Sequence, residues 1–158
     1  MQIRRVGLGI DAVVALCACG SAGPSGPLPA NVAGNWTYTS ATLGSQNAIC
    51  DFYGTTLSLL QSGHGFHGSY VIPAPECIGA TGMQVSPRIT GTVHGSVAGS
   101  VMTFGFSGQS SGTSFTITST GAVSGDTLSG ASTMLVPVGS GVDTLTGTWT
   151  AVRVTTTP

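Results

Sequence analysis

The sequence contains no lysine, and charged residues of every kind make up only 6% of its 158 positions. Nucleic-acid binding needs clustered basic side chains to displace counterions. Of the four arginines, Arg4 and Arg5 sit at the extreme N-terminus, and Arg88 and Arg153 are far apart, so that class is excluded. Helical periodicity is also missing: no window of helical length repeats its apolar residues every 3.6 positions. Few charges and few aromatics can signal disorder, but the positive mean hydropathy and a regular alternation argue for a packed fold. Solubility falls to serine and threonine, which suit the exposed faces of strands.

What is present is alternation. Met102, Phe104 and Phe106 share one face of a run, and Phe115 and Ile117 oppose Thr116, Thr118 and Thr120 in the next. Ile89, Val93 and Val97 alternate with Thr90, Thr92, His94 and Ser96, and Leu57, Leu59, Phe66, Tyr70, Ile72, Leu128, Met134 and Val136 continue the pattern. Glycine clusters at 63–65, 108–112 and 139–141, with Ala98-Gly99 and Ser124-Gly125-Asp126, read as hairpin turns. Gly34-Asn35-Trp36 opens the first strand and Gly147-Thr148-Trp149 marks the last. Matching marks at both ends, and eight strands at this spacing, predict an all-β, eight-stranded antiparallel up-and-down β-barrel, monomeric, over residues 32–158. Closure also removes the edges that a poorly charged, threonine-rich sheet would leave open to aggregation.

The first 18 residues have signal-peptide anatomy: Arg4 and Arg5, an apolar stretch from Val6 to Leu16, then small residues. Leu16-Cys17-Ala18-Cys19 resembles the lipobox of bacterial lipoproteins. That resemblance implies acylation of Cys19, a lipid anchor in the cell envelope facing the periplasm or exterior, and residues 19–31 as a flexible tether. The alternative is cleavage after Gly20-Ser21-Ala22, which gives a soluble secreted protein.

With Cys17 removed and Cys19 acylated, Cys50 and Cys77 remain. A hairpin turning about Gly63-His64 sets Ser62 opposite Gly65 and Gln61 opposite Phe66. Carried outward past Pro73 and Pro75, the same register brings Cys50 opposite Cys77, which predicts a disulfide in an oxidising compartment.

Gly34-Asn35-Trp36 on the first strand with Arg153 on the last resembles the calycin pattern of lipocalins and avidins. The resemblance implies that Trp36 closes one barrel end and that Arg153 packs over it. The Thr-Asp-Tyr signature of classical lipocalins and the extra tryptophans of the avidin site are absent. Gly34 to Trp36 followed by a two-cysteine hairpin is also similar to small bacterial barrel inhibitors of secreted metalloproteases, and the composition to Gly/Thr/Ser-rich envelope lipoproteins.

Gly108-Gln109-Ser110-Ser111-Gly112 spells the nucleophile-elbow string, but in a hairpin loop with no helix after it, so it is a turn. Gly63-His64-Gly65-Phe66-His67-Gly68 spells the dinucleotide string and is likewise a turn. His67 and His94 fall on neighbouring outer faces with no carboxylate or third imidazole beside them, so no metal site is expected. Asp126 and Asp143 are expected in separate turns, which gives no acid–base pair, and no enzyme is expected. Leu57, Leu59, Tyr70, Met102, Phe104, Phe106, Phe115, Ile117 and Leu128 share the expected interior. They either fill it or, with glycines at 68, 91, 95, 105 and 130 between them, line a cavity for a small apolar ligand. The expectation is a non-catalytic envelope lipoprotein without a cofactor; the alternative is a protein-binding barrel such as a secreted-protease inhibitor.

Overall fold

The computed structural model describes residues 27–80, 82–110 and 112–155. The signal segment, Cys17, Cys19 and most of the tether lie outside the described residues. Eleven strands form: β1 (Gly34–Gly44), β2 (Ala48–Asp51), β3 (Thr56–Ser62), β4 (Gly65–Ile72), β5 (Glu76–Gly79), β6 (Gly82–Val85), β7 (Ile89–Ala98), β8 (Val101–Ser110), β9 (Thr113–Ser124), β10 (Thr127–Val138) and β11 (Gly141–Arg153). Eight of them close into an antiparallel barrel in the order β1-β3-β4-β7-β8-β9-β10-β11, and β11 returns to β1. The fold class is the expected one. The three short strands β2, β5 and β6 were not foreseen; they lie outside the ring and extend the sheet beyond β1.

The alternation dictates this outcome, because in a strand every second side chain points to one face. On β8, Met102, Phe104 and Phe106 are buried while Thr103 and Ser107 are exposed; on β9, Phe115, Ile117 and Ser119 are buried while Thr116, Thr118 and Thr120 are exposed. Two-residue turns join the long strands, and Gly63, Gly99, Gly125 and Gly139 each take positive φ as the first turn residue.

The β3–β4 hairpin has an outer extension in the same register. Thr56 faces Val71 in the barrel wall, and Cys50 faces Cys77 on β2 and β5, where the two form the expected disulfide. Between these paired stretches the chain turns aside, and β1 takes over the hydrogen bonding: Phe52 N donates to Ala41 O, Tyr38 N to Thr55 O, and Gly54 N to Tyr38 O. β1 itself shifts register between Tyr38 and Ser40. The result is a flap, β2-β5-β6, that leans over one end of the barrel and is stapled at its root. Closing a loop of sequence separation 27 contributes roughly 3–4 kcal/mol in the chain-entropy picture.

Inward glycines are matched to rings across the strands. Gly91 pairs with Tyr70, whose ring lies 2.7 Å from where a β-carbon would stand; at Gly95 the Phe66 ring comes to 2.6 Å, and the Thr103 backbone carbonyl is closer still. Gly121 receives Trp149. Gly68, Gly130 and Gly147 have no such vacancy: a β-carbon there would strike the backbone carbonyls of Ser58, Thr120 and Thr42. Gly105 is a correction, since it lies between inward-facing Phe104 and Phe106 and so belongs to the outer face. The contrast is testable by urea denaturation. Gly130→Ala should cost about 2–3 kcal/mol, because strand backbones must move apart to admit it. Gly105→Ala, whose nearest neighbour would be Ile117 O at 3.4 Å, should change stability by less than about 0.5 kcal/mol.

Candidate functional site: the barrel mouth

The two ends of the barrel differ. At one end Trp36 is fully buried and its indole N–H donates to Val32 O at 2.9 Å. Trp36 and Arg153 are direct partners across the β1–β11 seam, and the guanidinium carbon lies 4.2 Å from the indole centroid. Arg153 Nη2 donates to Asn31 O at 2.9 Å, Nη1 donates to Ala33 O, and Nε makes a 2.9 Å ion pair with Asp126. A planar guanidinium can serve all four contacts at once, which an ammonium cannot. Gly34 precedes the tryptophan because its φ is +119° and a β-carbon would lie 2.9 Å from Arg153 Nη1. Val32 N donates to Gln61 Oε1, and Ala30 N to Gly99 O, so the chain entering β1 is fastened across the same end. This end is plugged.

Above the plug the bore is filled. Leu57, Leu59, Tyr70, Met102, Phe104, Phe106, Phe115, Ile117 and Leu128 are all buried in one cluster, as their shared face predicts. Tyr70 and Phe106 meet at 4.7 Å between centroids, Phe104 meets Trp149 edge-on at 5.4 Å, and Tyr38 stacks on Trp149 at 5.5 Å. The gap left among Tyr38, Phe52, Ile117, Ser132 and Trp149 is ≈10 Å³, about one water. Ser119 and Ser132 satisfy each other across β9 and β10 at 2.5 Å.

Space opens at the opposite end, where a pocket of ≈270 Å³ lies under the flap. Its floor is Phe52, which also closes the small gap below. The flap contributes Ala48, the Cys50–Cys77 disulfide and Gln84; the barrel rim contributes Ile89, Phe115, Met134, Val136, Val138 and Leu145. Polar side chains enter at five points: Gln84, Ser86, Ser110, Thr113 and Asp143. The wall is also incomplete here, because the β7–β8 ladder ends at Val93↔Phe106, short of the mouth. The Tyr70 hydroxyl reaches across and donates to Ser107 O at 2.7 Å.

Of the nine expected interior residues only Phe115 faces this pocket, while Phe106 and Ile117 border the small gap and the other six pack into the filled bore. Asp143 is a second correction: it lies within β11, on the inward face that continues through Leu145 and Trp149, and not in a turn. The signal was available as an acidic residue at even spacing from buried ones, but the neighbouring glycines of 139–141 masked it. His67 and His94 are direct cross-strand partners on the outer face, and no metal-holding cluster of His, Cys, Asp or Glu occurs among the described residues.

No family model matches the chain, and no curated protein matches it.

Burial raises the pKa of Tyr38 far above the ordinary tyrosine value of 10.0, and raises that of Tyr70 as well. The folded state therefore holds these protons more tightly than the unfolded chain does. The associated stability is complete below pH 10 and is lost as pH rises above it. With no lysine in the sequence, no ammonium side chain titrates in that window. Unfolding free energy should fall above pH 10 by up to about 1.4 kcal/mol per pH unit while Tyr38 stays protonated. Urea melts at stepped pH should show a shallower slope for Tyr38→Phe than for the unmodified protein.

Proposed function

We propose that the protein is a non-catalytic envelope lipoprotein of calycin-like type that binds a small, mostly apolar molecule in its mouth pocket. The observation that carries this reading is the ≈270 Å³ pocket, apolar on most sides with a few polar groups, above a bore too full to admit anything. Cavities of about 150 Å³ hold benzene, so this one suits a ligand of roughly ten to thirteen non-hydrogen atoms. The plug of Trp36 and Arg153 supports the calycin-like reading. Protease inhibition through the leader is less well supported, because Ala30 and Asn31 already hydrogen-bond to Gly99, Gln61 and Arg153 and would have to be pulled free.

In this reading Cys19 carries the lipid and the tether reaches the barrel at its plugged end. Pro27, the first described residue, lies against Gly99 there, at the end opposite the mouth. Multiple acyl chains give durable attachment. Cys19→Ser should move the protein to the soluble fraction with an unchanged urea midpoint, since the anchor makes no part of the barrel. A wild-type protein recovered only in the soluble fraction removes the lipoprotein assignment.

The binding reading is tested with 1-naphthalenemethanol, a neutral probe of fitting size, titrated by calorimetry or protein-observed NMR. A dissociation constant of about 0.1–1 mM is expected. Val136→Trp, which fills the pocket from its wall, should abolish binding while the folded spectrum is retained. Binding that survives this substitution places the probe elsewhere and refutes the mouth as the site.

A further inference from the structure

We propose that the mouth pocket selects amines: its ligand class is a small amphiphile with an apolar body and one ammonium group, held by Asp143. The proposal rests on the mouth-pocket reading and adds the chemistry of its occupant.

Asp143 is the charged side chain of the pocket lining, half-buried on the inward face of β11, two residues before Leu145. Its orientation is fixed. Ser45 Oγ accepts the backbone N–H groups of Asn47 and Ala48 at 3.0 and 3.1 Å, which leaves its own proton to be donated to Asp143 Oδ2 at 3.0 Å. The carboxylate is thus held in place from behind by a turn between β1 and β2, in a pocket whose lining is mostly apolar. A carboxylate placed beside apolar walls attracts a cation more strongly than one in open water, because the local dielectric is lower.

No cationic side chain among the described residues lines the pocket to receive an acid. Arg88, one residue before the pocket-lining Ile89, points to solvent, and Arg153 is committed at the opposite end. The flap carries Asp51 and Glu76, which face each other across β2 and β5 and are both exposed. Cys50 and Cys77, the strand neighbours of that pair, line the pocket, so Asp51 and Glu76 lie on the other face of the flap, and among the described residues Asp143 alone gives the pocket its negative field. A fatty acid or other organic anion meets repulsion from Asp143 with no cation among the described lining residues to offset it, whereas an ammonium gains a charge-assisted hydrogen bond.

The test uses three probes that share one ring system: 1-naphthylmethylamine, 1-naphthalenemethanol and 1-naphthoate, each titrated into the full-length protein at neutral pH. The amine should bind about tenfold tighter than the alcohol, the increment of one charge-assisted hydrogen bond, and the naphthoate more weakly than the alcohol. Asp143→Asn, which keeps an oxygen to accept from Ser45, should collapse the spread among the three to within about threefold. Equal affinity for amine and alcohol in the wild type overturns the proposal while leaving the pocket reading standing, and so does an amine preference that persists in Asp143→Asn. Failure of the alcohol itself to bind refutes the pocket reading, and this inference falls with it.

Discussion

The bore of an eight-stranded barrel is only wide enough for one set of side chains, and here rings from one strand occupy the space that glycines leave on the next. Tyr70 lies over Gly91, Phe66 over Gly95, Phe115 over Gly108, and Trp149 over Gly121. Large and small positions alternate around the wall as well as along it, and the rings then meet one another at 4.7–6.3 Å through the middle. The rest of the molecule follows from that filling. A full bore cannot hold a ligand, so free space is displaced to the rim, and only an added element can enclose it there. The flap of β2, β5 and β6 is that element, and Phe52 at its root separates filled core from open pocket.

Much of this was legible in the sequence where one strand fixed the position of another. The two-residue turn at Gly63-His64 sets a register that extends unchanged to Cys50 and Cys77, so the disulfide could be read from symmetry alone. Trp36 and Arg153 meet because the first and last strands are neighbours. The candidate site was less legible, for physical reasons. β2, β5 and β6 are four residues each, too short to show alternation, and so the extension beyond Pro73 and Pro75 was legible only at its cysteine pair. The nine apolar residues were placed correctly inside, but whether an interior is hollow depends on what stands across from each ring, which alternation along one strand does not encode. Asp143 was hidden by the glycines next to it.

The scarcity of charge makes the few that exist informative by position. Arg153 and Asp126 form an ion pair at the plugged end, and the guanidinium also ties the incoming chain to the sheet through Asn31 and Ala33. That arginine does the work of a cap, with its charge spent on contacts within the fold. At the mouth Asp143 faces the pocket, while Asp51 and Glu76 stand exposed on the other face of the flap. One end is electrically quiet and mechanically fixed, and the other is polarised and roofed by a small, separately stapled sheet.

Closure through β1 and β11 also governs the order in which the molecule can be finished. These strands are first and last in the chain, so the seam is the most distant pairing it makes, and closing so long a loop is entropically unfavourable until the intervening strands have formed. During synthesis the growing sheet carries an unpaired edge on β1 until the last thirteen-residue strand arrives. It has few charges with which to repel a neighbouring copy. The hazard of association therefore belongs to the unfinished chain. Once β11 is seated, the ring is closed, and among the described strands the open boundaries that remain are short: the unpaired stretch between β7 and β8 at the mouth, and β6, four residues long.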